Sequence, residues 1–480
     1  MRIFALAEER HQLITAIVPT RPNVGGFQKN RKMRSSLLRN PTVRHYAVAA
    51  TAPSAACAAT PECKVLSNKV TVAAYDNNSP IAQVSIVFRA GSRNETYDTQ
   101  GIAHHLRLAA GLSTSVASAF AITRNIQQRG GNLITTLDRE SIAYTLQITR
   151  NNLEESLQYL ECAVTKQVFK PWEVQDQLPR LKYELASLSD TVWVIELLHK
   201  AAYYNGLGYS LFCPEHRVGT INSESLLHFV NTWCTAPRCA VVGTGVSLAE
   251  LSALGSNLSI QSADKPNEAI KYHGNEIHQE TCASLTNVAL AVEGVSLKNE
   301  EEALACAILQ RTSSVTRVKW GSSPTSLHKQ LSCVAGSELF AASTFNASYT
   351  DSGLFGVVLC STPDIIGSLT KETAKWLKSL KVTENEVARG KNILKTEILD
   401  AADNQVCLLE SLQQQAVLKG QVSSPISIAN AVDKISASDV KAVCTLIVLD
   451  CNVADKLAKG RLSLAAIGNL KTVPHLEELK

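Results

Sequence analysis

The segment Gly101-Ile102-Ala103-His104-His105-Leu106-Arg107-Leu108 is the most chemically suggestive stretch of the chain, because it places two imidazoles at the start of the first long helix. Zinc-assisted hydrolysis in the H-x-x-E-H arrangement needs histidines at i and i+4, where both reach one metal from one helix face. The glutamate between them takes a proton from the attacking water. Read from His104, the glutamate position holds Arg107 and the second histidine position holds Leu108. Read from His105, those positions hold Leu108 and Ala109. Neither register supplies two ligands and a base. Arg107 is a fixed cation that repels Zn²⁺ and cannot accept a proton.

Glu184, in Leu181-Lys182-Tyr183-Glu184, lies 76 residues beyond Leu108. It is either a third ligand brought in from another helix or a solvated helix carboxylate. One imidazole and one distant carboxylate do not make a zinc site, so His104 and Glu184 read as remnants, with Arg107 and Leu108 at replaced positions. The expectation is no metal ligand, no catalytic residue and no cofactor, with His104 and His105 partly buried at a helix start.

Other catalytic patterns are missing from the sequence: there is no Walker loop, no G-x-S-x-G elbow and no G-x-G-x-x-G. Gly243-Thr244-Gly245-Val246-Ser247 lacks the third glycine and reads as a turn. His216, His228, His273, His278 and His328 are isolated and read as surface or helix residues. The 13 cysteines contain no C-x-x-C pair, and their odd number argues for reduced thiols. Cys162, Cys306 and Cys444 sit on apolar faces as small hydrophobes.

The elements that would position these residues form a repeat. Lys69 to Val72 alternates, turns at Asp76-Asn77-Asn78-Ser79-Pro80 and continues as Val84 to Phe88, which signals a hairpin. Ile142, Tyr144, Leu146 and Ile148 mark a strand, and Leu153, Leu157, Leu160 and Val164 a helix. About 200 residues later the order recurs, in Val288 to Gly294, Ser343 to Tyr349, Gly353 to Cys360 and the helix from Ile366 to Leu380. The late strand Arg238 to Gly243 is matched by Leu462 to Gly468. The expectation is an α+β fold of two homologous domains, each a mostly antiparallel sheet with helices on one side. The domains span 64–254 and 281–480, joined by a polar linker over 255–280.

Charge separates a leader from this body. Residues 1–46 carry nine basic side chains against Glu8 and Glu9, while the remaining residues hold 38 basic and 41 acidic groups. The near-neutral body gives no electrostatic ground for nucleic-acid binding. An arginine-rich leader suits a mitochondrial presequence over 1–46, cut between Tyr46 and Ala47 after Arg44-His45, with 47–63 as a flexible linker. Met33 is a second possible start within it. The longest apolar run, Ala442 to Leu449, is too short to span a bilayer, so any membrane association is expected to be peripheral.

Several stretches together resemble the pitrilysin and mitochondrial processing peptidase family. They are Ala90-Gly91-Ser92-Arg93-Asn94-Glu95, His104 to Leu108, Ser118 to Arg124, Lys170-Pro171-Trp172-Glu173-Val174, Leu198 to Tyr203, Leu211 to Pro214 and Phe345 to Gly356. The resemblance covers nearly everything after the leader and is nearer to the non-catalytic core subunits of ubiquinol–cytochrome c reductase, respiratory complex III. It implies two homologous domains around a cavity, with His104 and Glu184 at ligand positions of active members and Arg107 and Leu108 breaking the set. Tyr349 falls in a segment that helps hold substrate in active relatives and is assigned no catalytic role here. The implied partners are core protein 1 and other complex III subunits, within a dimeric complex peripheral to the matrix side of the inner membrane. The alternative is a non-catalytic, presequence-binding subunit of the processing peptidase. Trp320-Gly321-Ser322-Ser323-Pro324-Thr325-Ser326-Leu327, which corresponds to that subunit's glycine-rich loop, has a single glycine.

Overall fold

The computed structural model describes residues 60–263, 265–313, 325–452 and 462–479, with side chains of 448–452 excepted. The leader, the Tyr46–Ala47 cut, most of the 47–63 linker and Trp320 to Pro324 lie outside the described residues.

The first half runs β1 (Glu62–Val65), β2 (Thr71–Tyr75), β3 (Ile81–Phe88), α1 (Ile102–Leu108), α2 (Ala119–Gln128), β4 (Asn132–Leu137), β5 (Ile142–Thr149) and α3 (Leu153–Thr165). It continues with α4 (Pro171–Asp176), α5 (Leu178–Ala186), α6 (Asp190–Ala202), α7 (Ser223–Trp233), β6 (Cys239–Thr244) and α8 (Leu248–Asn257). The second half runs β7 (Glu276–Glu280), β8 (Thr286–Glu293), α9 (Glu300–Ser313), α10 (Ser326–Ala335), β9 (Phe340–Ser348), β10 (Gly353–Ser361) and α11 (Ile366–Lys378). It ends with α12 (Glu384–Asp403), α13 (Gln405–Lys419), α14 (Pro425–Lys434), α15 (Ala437–Asn452) and β11 (Ser463–Gly468).

The strand orders are β1-β2-β6-β3-β5-β4 and β7-β11-β8-β10-β9. Apart from β1, each strand of the first sheet has a counterpart at the same place in the second, so the repeat read from sequence is a repeat of topology.

The hairpin expected between β2 and β3 does not form. Instead β6 lies between them, parallel to β2 and antiparallel to β3. Its run Cys-Ala-Val-Val-Gly-Thr is buried at every position, the pattern of a central strand. Asp76 to Pro80 therefore spans one strand's width, and its backbone is held by Asp76 and Asn77 side chains accepting from Asn78 N and Ser79 N.

The expectation of helices on one side also fails, because each half lends a helix to the other. On the first sheet, Val84, Ile86, Phe88 and Val241 face that half's own helices, with Ile122, Ile126, Leu160 and Leu226 in the same core. The opposite face presents Ala73, Ala240 and Val242 to Leu408, Leu409, Leu412 and Ala416 of α13, from the second half. On the second sheet, Val288, Leu290, Phe355 and Leu464 face α9, α11, α12 and α15. There the opposite face presents Ala289, Ala291 and Ala465 to Val194, Leu197, Leu198 and Ala202 of α6, from the first half. The alanines let a helix lie close to the sheet, and each fully buried leucine adds about 1.5–3 kcal/mol.

The expected linker is shorter than 255–280. Helix α8 continues to Asn257, and Glu276–Glu280 is a strand. Strand β7 reads Glu-Ile-His-Gln-Glu at a sheet edge, where there is little apolar alternation to reveal it. The helix bearing the two imidazoles is also short, only the 7 residues of α1.

Candidate functional site

Helix α1 begins at Gly101, whose φ of +87° lies in the left-handed region. A Cβ there would sit 2.7 Å from Cys213 Sγ and 2.8 Å from Cys213 Cα, so the position excludes side chains sterically as well. Glu95 accepts from the amides of Gly101 and Ala103, each at 2.9 Å, and so fixes the start of the helix. Burial pushes the Glu95 carboxyl up to about 8, opposed by these two amide bonds.

His104 is 1% exposed and edge-on to Phe212, with ring centroids 5.8 Å apart. Its Nδ1 accepts from the Cys213 amide at 3.1 Å, so in the neutral ring the proton is on Nε2. Nε2–H then donates to Glu184 Oε2, 3.1 Å away. Burial holds the His104 pKa below its ordinary value, only partly offset by the Glu184 carboxylate, which favours this neutral form. Arg107 donates through Nη2 to the same Oε2, and Arg180 Nε lies 3.4 Å from Oε1. Although burial alone would raise the Glu184 pKa, the hydrogen bonds from His104 and Arg107 and the Arg107 charge bring it down to about 2.

Leu108 packs with Leu181 and Cys213 in a small apolar cluster. Because Leu181 and Glu184 lie three apart on α5, one helix face supplies both the packing residue and the carboxylate. His105 is buried on its own, donating from Nδ1 to Gly101 O at 2.9 Å.

The structure thus brings His104, Arg107 and Glu184 together, with Leu108 beside them. The donor set does not fit Zn²⁺. Nε2 carries a proton where a ligand needs a lone pair, a guanidinium occupies the carboxylate, and the second imidazole is an isobutyl group. What the arrangement does is clamp α1 to α5 through a shared carboxylate.

Tyr349, assigned no role from sequence, is buried and its hydroxyl lies 2.6 Å from His199 Nε2 on α6. His199 Nδ1 donates to Ile195 O, so Nε2 accepts from the Tyr349 hydroxyl. Sequence reasoning missed the group around Arg93 altogether. Arg93 Nη1 reaches Glu140 Oε1 at 2.6 Å, Thr350 Oγ1 at 2.9 Å and Asp351 Oδ1 at 2.8 Å, and Nη2 also pairs with Asp351. Thr350 Oγ1 donates to Glu140 Oε1 at 2.7 Å. Nearby Arg139 meets Glu196 of α6 at 2.5 Å, and Tyr203 O–H lies 2.8 Å from Ser352 Oγ. The contacts of Arg93 with Thr350 and Asp351, of Thr350 with Glu140 and of Tyr203 with Ser352 join the two halves, while Arg139–Glu196 ties α6 to its own half. The available signal was that Arg93, Tyr349, Thr350 and Asp351 all lie in stretches singled out for their resemblance.

Among the other singled-out residues, Gly243 and Thr244 end β6 and only Gly245 to Ser247 turn into α8, where Ser247 and Glu250 make a capping box. His228 and His328 lie on helices and His216 in a short 3-10 turn, whereas His278 is on strand β7. Cys162, Cys306 and Cys444 are buried free thiols. No helix among the described residues is long and apolar enough to cross a membrane.

Residues 70–215 match the model of the insulinase family, peptidase family M16, and residues 220–394 match the M16 inactive domain. The chain is 33% identical over 422 residues to cytochrome b-c1 complex subunit 2, mitochondrial, of Homo sapiens, covering 86% of this chain and 91% of the relative. The Rattus norvegicus protein of the same name is also 33% identical over 422 residues. Mitochondrial-processing peptidase subunit beta of Bos taurus is 26% identical over 440 residues, covering 87% of each chain.

Proposed function

Since the chain belongs to the insulinase, or M16, peptidase family, we propose that it serves as a core subunit of mitochondrial ubiquinol–cytochrome c reductase, respiratory complex III. Its contribution to respiratory electron transport is structural: it supports assembly of the complex and carries no redox centre. It has no peptidase activity, because the position of the proton-accepting glutamate holds Arg107 and that of the second ligand holds Leu108. Its partners are other complex III subunits, among them core protein 1, within a dimeric complex at the matrix side of the inner membrane. Residues 1–46 are the presequence, removed between Tyr46 and Ala47.

The observation that carries this reading is the Glu184 carboxylate shared by His104 and Arg107, in a chain 33% identical to mitochondrial subunit 2 proteins. Native electrophoresis of mitochondrial membranes tests it. The chain should migrate with complex III, and N-terminal sequencing of the excised band should begin at Ala47. Migration as a free matrix heterodimer crosslinked to presequence peptides would replace it with the processing-peptidase reading.

A further inference from the structure

Glu276 and His278 are two apart on β7, so their side chains leave the same face of the sheet. That face carries the main core of the second half. Leu464 and Ala466 of β11, the register partners of Glu276 and His278, lie in it. After β11 the chain turns back over this edge, with Val473 and Leu479 buried in the same core. Between them His475 arrives at β7. Its Nδ1 is 3.1 Å from Glu276 Oε1, and the Leu476 amide donates to Oε2 at 2.7 Å. His278 Nε2 is 3.4 Å from Glu276 Oε2, and the two imidazole centroids are 4.8 Å apart.

We propose that Glu276, His278 and His475 form a binding site for a divalent transition metal, suited to Zn²⁺, that staples the C-terminal segment to the edge of the second sheet. Among the described residues this is the one group of His, Cys, Asp or Glu side chains whose donor atoms converge, all within 4.8 Å of one another. Two imidazoles and a carboxylate are a zinc donor set, and donors at about 2.1 Å from a tetrahedral centre lie about 3.4 Å apart. Each imidazole already lies at about that distance from one Glu276 oxygen, His475 Nδ1 from Oε1 and His278 Nε2 from Oε2, so small side-chain rotations bring all three donors round one centre. The Leu476 amide holds the carboxylate in place, as an outer hydrogen bond does for a ligating group. The contrast with Glu184 is chemical. There an arginine takes the carboxylate, whereas the ion pairs of Glu276 among the described residues are with the two imidazoles. His475 is exposed, so the cluster is open to solvent on that side. The metal therefore crosslinks a polar edge strand, paired among the described residues with β11 alone, to the segment that covers it.

The test uses the full chain, stripped of metal with EDTA and titrated with Zn²⁺ by calorimetry. One equivalent should bind, with affinity at least about tenfold weaker in His278→Ala and in His475→Ala. His104→Ala and Cys282→Ser should bind as the parent does. His475 is exposed and outside the strands, so His475→Ala should keep the fold, and circular dichroism checks this for it and for the partly buried His278→Ala. Co²⁺ should give d–d absorption without a thiolate charge-transfer band, and bound Zn²⁺ should slow amide exchange over 469–479. No saturable binding, equal binding by both histidine variants, or a thiolate band would overturn the site.

Discussion

Arg107 of α1 and His104, one turn earlier on the same helix, both donate to Oε2 of Glu184 on α5. A metal-like contact is thereby replaced by an internal cation. The carboxylate is only partly exposed, and its pKa of about 2 makes the clamp sensitive to acid.

That sensitivity has a defined direction. Because the folded-state pKa of Glu184 lies below the ordinary carboxylate value, its contribution is complete above about pH 4.5 and is lost as pH falls toward about 2. Glu184→Gln should therefore flatten the fall in unfolding free energy across that window, measured by urea titration at stepped pH. An unchanged slope would show that the clamp carries no net proton linkage.

If Arg107 and Leu108 are what separates this chain from a metal-binding one, restoring the pattern should restore uptake. Arg107→Glu combined with Leu108→His, in a His278→Ala and His475→Ala background that removes both imidazoles of the other site, should bind one equivalent of zinc by metal analysis. Adding His104→Ala should abolish it. The double change also places an imidazole in the Leu181–Cys213 cluster, so circular dichroism must accompany the assay. A folded variant that takes up no zinc would mean that more than two side chains had been lost.

Gly101 offers a steric test of how tightly α1 is seated. Gly101→Ala combines a φ of +87° with a Cβ 2.7 Å from Cys213 Sγ, and should cost about 2–4 kcal/mol in chemical denaturation. Gly130→Ala, at φ +73° with nothing within 4 Å of the new Cβ, should cost only the backbone part, about 1–2 kcal/mol. Equal costs would mean that Cys213 yields freely.

What the sequence made legible follows from how locally each feature is encoded. The strands β8, β10 and β11 were visible because their buried runs are largely apolar, β3 and β5 because apolar residues recur at alternate positions, and the repeat was visible because it preserves element order. Strand β7 was not, since an edge strand of mostly polar residues has no such run. The insertion of β6 between β2 and β3 depends on pairing across 151 to 169 residues, which no turn signal reveals. At the site, the breaks at Arg107 and Leu108 were local and readable. The pairing of Glu184 with both His104 and Arg107 required the fold. The meeting of His278 with His475 did too, because 197 residues separate them.

The exchanged helices should be detectable in dynamics. Leu198 of α6 and Leu412 of α13 are both almost fully buried, each against the sheet of the other half. Truncating either to alanine removes packing that the site cannot fully refill, a loss of about 2–5 kcal/mol. Native-state hydrogen exchange reads where that loss falls. Leu198→Ala should accelerate exchange first in β8 and β11, and Leu412→Ala first in β2 and β6, since those strands carry the alanine and valine faces the leucines cover. Acceleration confined to the half that contains the substituted residue would contradict the exchange of helices and leave the polar contacts around Arg93 as the main tie between the two halves.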